Sequence, residues 1–252
     1  MKRDLFIGTV LAAFLAVSLG QLGFFDLARL SRGASNLMLF SRETVPPNLG
    51  ILPIAGQALV ETIEMALAGT LLGFFFSLPL GFLSTRAFFP ASFVVIPRLV
   101  IAATRTVPSL LWAILFVIVV GLGPLAGTLS LAVYTVGYLA KLYYEFFEGV
   151  DPEVVEAVAG VGATKLQLAR FVVLPETANS ILSQLMFMLE YNIRASSILG
   201  LVGAGGIGFY MQVYIQTLEY QKLTTLLLVI LALVIFMDYF SGWVRKHYLL
   251  AR

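Results

Sequence analysis

The 252-residue sequence contains no cysteine and one histidine, His247. Without cysteine there is no disulfide framework, thiolate zinc site or cysteine nucleophile. One histidine in a basic tail leaves no His-based metal or acid–base site within a single chain. Charge is also scarce. Asp, Glu, Lys and Arg make up 12% of the residues and hydrophobic types 60%, against about 25% and about 45–50% in soluble domains. A soluble fold needs a polar surface, so this composition excludes a water-soluble enzyme. Basic residues form no stripe outside short segments, which leaves nucleic-acid binding without support.

What the chain does have is long uncharged runs. Residues 5–25 carry no charge and are flanked by Lys2, Arg3, Asp4 and Asp26. The run exceeds a signal-peptide core of about 7–15 residues and ends without an A-x-A-like site, so it reads as a retained first span. Residues 26–50 hold Arg29, Arg32, Arg42, Glu43 and Pro46-Pro47 and read as an external connection with a short interfacial helix. A long helix is expected over 52–85, bent near Pro79 and Gly81, followed by a loop with Arg86, Pro90 and Pro97. Gly121-Leu122-Gly123-Pro124 interrupts the 35-residue uncharged run 106–140, because Gly and Pro together mark a turn. The run then becomes helices at about 98–120 and 124–148. Further spans are expected at about 175–198 and 221–243.

Residues 195–218 are also uncharged but hold Gly200, Gly203, Gly205, Gly206 and Gly208. Backbone that leaves the helix at depth needs shielding by protein or water, so this stretch reads as a re-entrant or external loop with short helices. Six spans with the N-terminus inside place ten basic residues on inner segments and four on outer ones. That obeys the positive-inside rule. A seventh span would put the basic C-terminus outside. The expected fold is all-α, with about six transmembrane helices in a multi-pass membrane protein, both termini cytoplasmic. Residues 1–50 form a first span with its external connection, and 51–252 the core.

The inner segment 150–175 is short and structured. Asp151 suits an N-cap and Pro152 the first helical position. Gly160 and Gly162 end that helix, and a second runs from about Thr164 to Leu174. Its acidic residues Asp151, Glu153 and Glu156 argue against an anionic lipid surface and for a knob that docks into a partner. The segment resembles the signature loop of ABC importer permeases, written EAA, three residues, Gly, nine residues, Ile-x-Leu-Pro. Here Glu156-Ala157-Val158 is followed after three residues by Gly162 and after nine more by Val172-Val173-Leu174-Pro175. Val158 and Val172 depart from the pattern conservatively. The resemblance implies a type I importer permease fold whose coupling helix enters an ATPase groove through Glu156, Ala157, Gly162, Leu174 and Pro175.

From about residue 60 the chain looks like the phosphonate/phosphite branch of these permeases. The matching segments are Arg105-Thr-Val-Pro-Ser-Leu-Leu-Trp112, Gly121-Leu-Gly-Pro124, and Asn192 through Gly208. The last is shared more loosely with methionine-type permeases. The resemblance implies a homodimer with two ATPase subunits and an extracytoplasmic binding protein. It also implies ATP and Mg bound by the partners, with no cofactor and no ATPase site in this chain.

Charges within spans need partners or a cavity. Arg194 follows Glu190 by four residues on one helix face, in the favourable order. The functional alternative makes Arg105 and Arg194, with Glu190 and Asn192, line a path for an anion whose oxygens suit guanidinium. Asp238 reads as structural. Glu61 and Glu64 read as a solvated helix end rather than a catalytic carboxylate pair. Gly203-Ala-Gly205-Gly-Ile-Gly208 satisfies G-x-G-x-x-G, but lacks the strand and βαβ context of a dinucleotide site. Close helix packing suits it better, and Gly203, Gly205, Gly206 and Gly208 become a candidate gate. Gly160-Val-Gly162-Ala-Thr-Lys165 fails the phosphate-loop pattern. An ion-driven transporter would want inverted repeats and ion ligands at mid-depth; no repeat is visible. A membrane enzyme would want a nucleophile or metal cluster. The expected function is phosphonate, phosphite or phosphate import.

Overall fold

The computed structural model describes residues 2–249, which hold helices and turns and no strand. Arg252, one of the basic residues counted above, lies outside them. The chain divides into two units, Met1–Pro47 and Asn48–Arg252.

In the first unit, α1 (Lys2–Gln21) exposes Leu5, Phe6, Phe14 and Leu15. A helix apolar all round suits a lipid environment. After the turn, Asp26 caps α2 (Leu27–Thr44), its carboxylate accepting from Arg29 N at 2.9 Å. The short helix expected here has 18 residues. Leu30, Ala34, Leu37 and Met38 share one face of it, with Arg29, Arg32 and Asn36 opposite.

In the second unit, a 3₁₀ turn (Leu49–Ile51) leads into α3 (Leu52–Leu83), which packs along α6 (Pro124–Glu148). Small residues bring these backbones together. A Cβ on Gly69 would lie 2.7 Å from Leu131 Cβ, and one on Gly73 would overlap Thr135.

The expected helix 98–120 is corrected. The chain forms α4 (Ala91–Thr106) and α5 (Ser109–Val120), bent by 90°. Pro108 lacks an N–H and holds Val107 extended at φ −86°, ψ 118°, as a residue before proline prefers. The Trp112 indole N–H reaches Thr104 O across the break at 3.3 Å. Pro97, expected in a loop, is buried inside α4.

Asp151 caps α7 (Pro152–Gly160), accepting from Glu153 N at 2.9 Å. Gly162, at φ +88°, turns the chain, and Thr164 with Gln167 forms a capping box at α8 (Lys165–Leu168). The expected start of a new span at Pro175 is also corrected. A π-turn (Ala169–Val173) joins α8 to α9 (Leu174–Gly200), giving one helical stretch over Lys165–Gly200. Pro175 would crowd the carbonyl four residues back in an α-helix, and the wider turn covers that position. The glycine-rich stretch contains α10 (Gly206–Gln216), and α11 (Tyr220–Val244) follows. Eleven residues rise only about 16 Å, too few to cross a bilayer. Five described helices are long and apolar enough to span, and the bent α4–α5 pair makes a sixth.

The two ends of this unit differ. At the loop end, Glu148 accepts from Arg86 N and Arg98 Nη2, both at 2.6 Å. At the glycine end, Gly123 N donates to Gly203 O at 2.9 Å, and Thr225 Oγ1 to Asn48 O at 2.9 Å.

Candidate functional site

Three places bring the sequence-selected residues together. The first is the loop end. Val155 and Val158 of α7 pack against a core of Phe88, Phe147, Val150 and Leu168. Lys165 Nζ donates to Phe88 O at 2.7 Å. The loop therefore sits on an anchored base. Glu153, Glu156 and Ala157 are exposed on its other side, and α7 buries no residue fully. Gly162 supplies the left-handed turn that a side chain would strain. Leu174 and Pro175 are exposed at the start of α9. Beside them lies an apolar cavity of about 450 Å³ lined by Leu78, Pro79, Phe82, Phe147 and Val173.

The second is the middle of the bundle. Arg194 Nη2 bonds Glu190 Oε1 at 2.6 Å, the local pair the spacing suggests. The pair is not isolated. Asp238 of α11 lies 3.9 Å from Arg194, and Arg245, the residue after α11, lies 3.9 Å from Glu190, so four charges form one network. Glu190 is buried and Arg194 remains exposed. Asn192 is fully buried, its amide donating to Thr70 Oγ1 at 2.8 Å and Thr135 Oγ1 at 2.9 Å. It ties α3, α6 and α9 together. Arg105 stands apart, exposed in the last turn of α4. A Cβ on Gly137 would lie 3.0 Å from Arg105 Cγ, so that glycine lets the arginine stem lie against α6.

The third is the glycine end. Gly203, Gly205 and Gly206 all have positive φ, from +69° to +86°, and Gly208 packs directly on Gly200 and Ser197. The first N–H groups of α10 find acceptors on α3: Gly206 N donates to Glu61 Oε1 and Ile207 N to Thr62 Oγ1, each at 2.8 Å. Glu61 is therefore not a solvated helix end, which corrects the sequence reading. Its neighbour Glu64 is exposed. Both line a cavity of about 660 Å³ with Gln57, Pro124 and Thr128. No local signal marks Glu61, because its partner lies 145 residues away.

A family model described as binding-protein-dependent transport system inner membrane component matches residues 77–249. The phosphite transport system permease protein of Stutzerimonas stutzeri is 36% identical over 245 residues, covering 96% of this chain and 89% of that protein. The phosphate-import permease protein of Mycolicibacterium smegmatis is 34% identical over 243 residues, covering 96% of this chain and 44% of that protein. Among solved structures, a chain of the inward-facing MetNI methionine ABC transporter aligns with a TM-score of 0.68 at 23% identity, covering 79% of this chain and 98% of that one. A chain of a bacterial alginate ABC transporter aligns with a TM-score of 0.64 at 14% identity, covering 97% and 96%. At these identities the structural likeness concerns the fold.

Proposed function

We infer the function from one premise: the chain belongs to the family of binding-protein-dependent transport system inner membrane components. Its fold is that of a type I ABC importer permease, and the protein is a multi-pass inner-membrane transport subunit. On that footing, it passes a phosphorus oxyanion (phosphite, phosphonate or phosphate) into the cell as a homodimer. Two partner ATPase subunits hold ATP and Mg and do the hydrolysis, and an extracytoplasmic binding protein delivers the anion. This chain has no ATPase site of its own. The named functions of the relatives support the substrate class.

The observation that carries the coupling role is the loop itself. It has an anchored apolar underside, a capped start at Asp151 and an exposed acidic face at Glu153 and Glu156. A motion imposed on that face passes into α9, because α8, the π-turn and α9 are continuous. We assign Glu156, Ala157, Gly162, Leu174 and Pro175 to ATPase coupling. Arg105, Glu190, Asn192 and Arg194 are assigned to the path, Arg105 and Arg194 as its cations, and Gly203, Gly205, Gly206 and Gly208 to the outer gate. The excess of basic residues at the loop end supports a cytoplasmic loop, with both termini on that side.

A gentle-detergent pull-down from the native host tests this reading. An ATPase subunit at about 1:1 that is lost in Glu156→Lys is the expected result. A chain that emerges alone, with uptake driven by an ion gradient, overturns it.

A further inference from the structure

Four aromatic rings on α6 and α9 meet at mid-depth. Tyr134 stacks on Tyr191 at 5.4 Å, and Tyr138 on Phe187 at 6.1 Å. Tyr134 and Tyr138 are themselves 6.4 Å apart, and all three pairs are near-parallel. The Arg105 stem lies against α6 at Gly137, about one turn from Tyr134. Arg105 reaches this place because Gly137, three residues after Tyr134 on α6, has no side chain in the way.

Position and chemistry decide what this strip faces. Tyr134 lies ten residues into α6 and Tyr191 nine residues before the end of α9. At 1.5 Å per residue, both sit about 15 Å below the glycine end, near the middle of a 30 Å hydrocarbon layer. The rings are half-buried and Arg105 is exposed within the single chain. Arg194 and Arg98 have carboxylate partners; among the described residues no carboxylate lies within ion-pair distance of Arg105. An arginine facing hydrocarbon at that depth costs roughly 2.5–3.5 kcal/mol on insertion scales. A water-filled path relieves that cost. Packing alone needs only rings, as Phe187 shows, yet three of the four rings carry hydroxyls.

We propose that Tyr134, Tyr138 and Tyr191, with Arg105, form the strip of the translocation path that contacts the transported oxyanion and sets how fast it passes. The inference rests on the functional reading above. Hydroxyl and guanidinium donors suit clustered oxygens. The ring faces suit the apolar hydrogen or carbon that replaces one oxygen in phosphite and phosphonate. Because the binding protein captures substrate before this step, the strip governs maximal uptake and leaves half-saturation unchanged.

The test uses the whole complex, with its ATPases and binding protein, in proteoliposomes supplied with phosphite and with methylphosphonate. The triple variant Tyr134→Phe, Tyr138→Phe, Tyr191→Phe keeps every ring. Its maximal uptake should fall about tenfold, while half-saturation, subunit yield and basal ATP hydrolysis stay at parent values. Parent-level uptake in the triple variant overturns the strip and leaves the transporter reading intact. Should the triple variant fail to assemble, Tyr138→Phe alone decides, since across the helices Tyr138 stacks on Phe187, which has no hydroxyl. A threefold loss supports the strip and an unchanged rate overturns it. A parent complex that imports neither of these anions, nor phosphate, overturns the functional reading and the strip together.

Discussion

Removing the two acceptors on α3 that receive the first N–H groups of α10 should loosen the glycine end measurably. Gly206 N bonds the Glu61 carboxylate and Ile207 N the Thr62 hydroxyl, each at 2.8 Å. A hydrogen bond to a charged acceptor contributes about 1.5–3 kcal/mol and a neutral one about 0.5–1.5. The Ile207 N–H is buried, so its loss of partner adds a desolvation cost of about 1–3 kcal/mol. Glu61→Ala should therefore cost about 1.5–3 kcal/mol. Thr62→Val should cost about as much, because it leaves the buried N–H orphaned. The sites are adjacent and share a helix end, so the double variant should lose less than the sum. For a chain of this length each kcal/mol corresponds to about 2–4 °C, which puts Glu61→Ala about 3–12 °C below the parent. Glu64 lines the same cavity but is exposed, so Glu64→Gln should stay within about 1 °C. Thermal unfolding of the detergent-purified chain, followed by size-exclusion chromatography, reads all four. Equal melting of Glu61→Ala and the parent, or an equal drop in Glu64→Gln, refutes the cross-helix cap.

Two further outcomes follow from the packing. Gly73→Val places atoms where Thr135 and the Ala132 carbonyl already stand, and should cost about 1–3 kcal/mol or more by overpacking. Gly160→Ala meets nothing within 4 Å and should be neutral or gain about 0.5 kcal/mol; the same melting assay separates them. In the Glu190–Arg194 pair, Glu190→Gln alone should cost more than its share in the Glu190→Gln, Arg194→Gln double variant, with a coupling of about 0.5–1.5 kcal/mol. Strictly additive melting shifts would reject that coupling. Full uptake by Arg194→Gln at normal expression would remove Arg194 from the path.

Where signals were local, the sequence was legible. Gly121-Leu-Gly-Pro124 marked the start of α6, and Asp151, Gly162 and Thr164 marked the loop, because caps and turns are encoded by the residues that make them. The pair Glu190–Arg194 was visible for the same reason. Breaks hidden in apolar runs were harder. The Val107–Pro108 corner sits inside an uncharged stretch, where only the proline marks it. Pro175 looked like a start but lies within continuous helix, since a π-turn accommodates it. Long-range partners left no local trace: Asp238 joins Arg194 from another helix, and Glu61 serves a glycine that the chain reaches far later. The aromatic strip went unmarked in the sequence, because Tyr134 and Tyr138 meet Tyr191 and Phe187 only when the fold lays α6 against α9.

The unbroken helical stretch from Lys165 to Gly200 makes the loop and the glycine end two tips of one rod. At 1.5 Å per residue its 36 residues extend about 54 Å, well beyond the 30 Å hydrocarbon layer. Pivoting such a rod by about 10° about one tip carries the other sideways by about 9 Å. Little leverage is lost along the way, since a helix stores little bend over that distance. The π-turn lies near the loop tip, so the regular α-helical length runs from Leu174 to the glycine end. A small rotation at the loop tip therefore becomes a large sideways movement at the glycine tip.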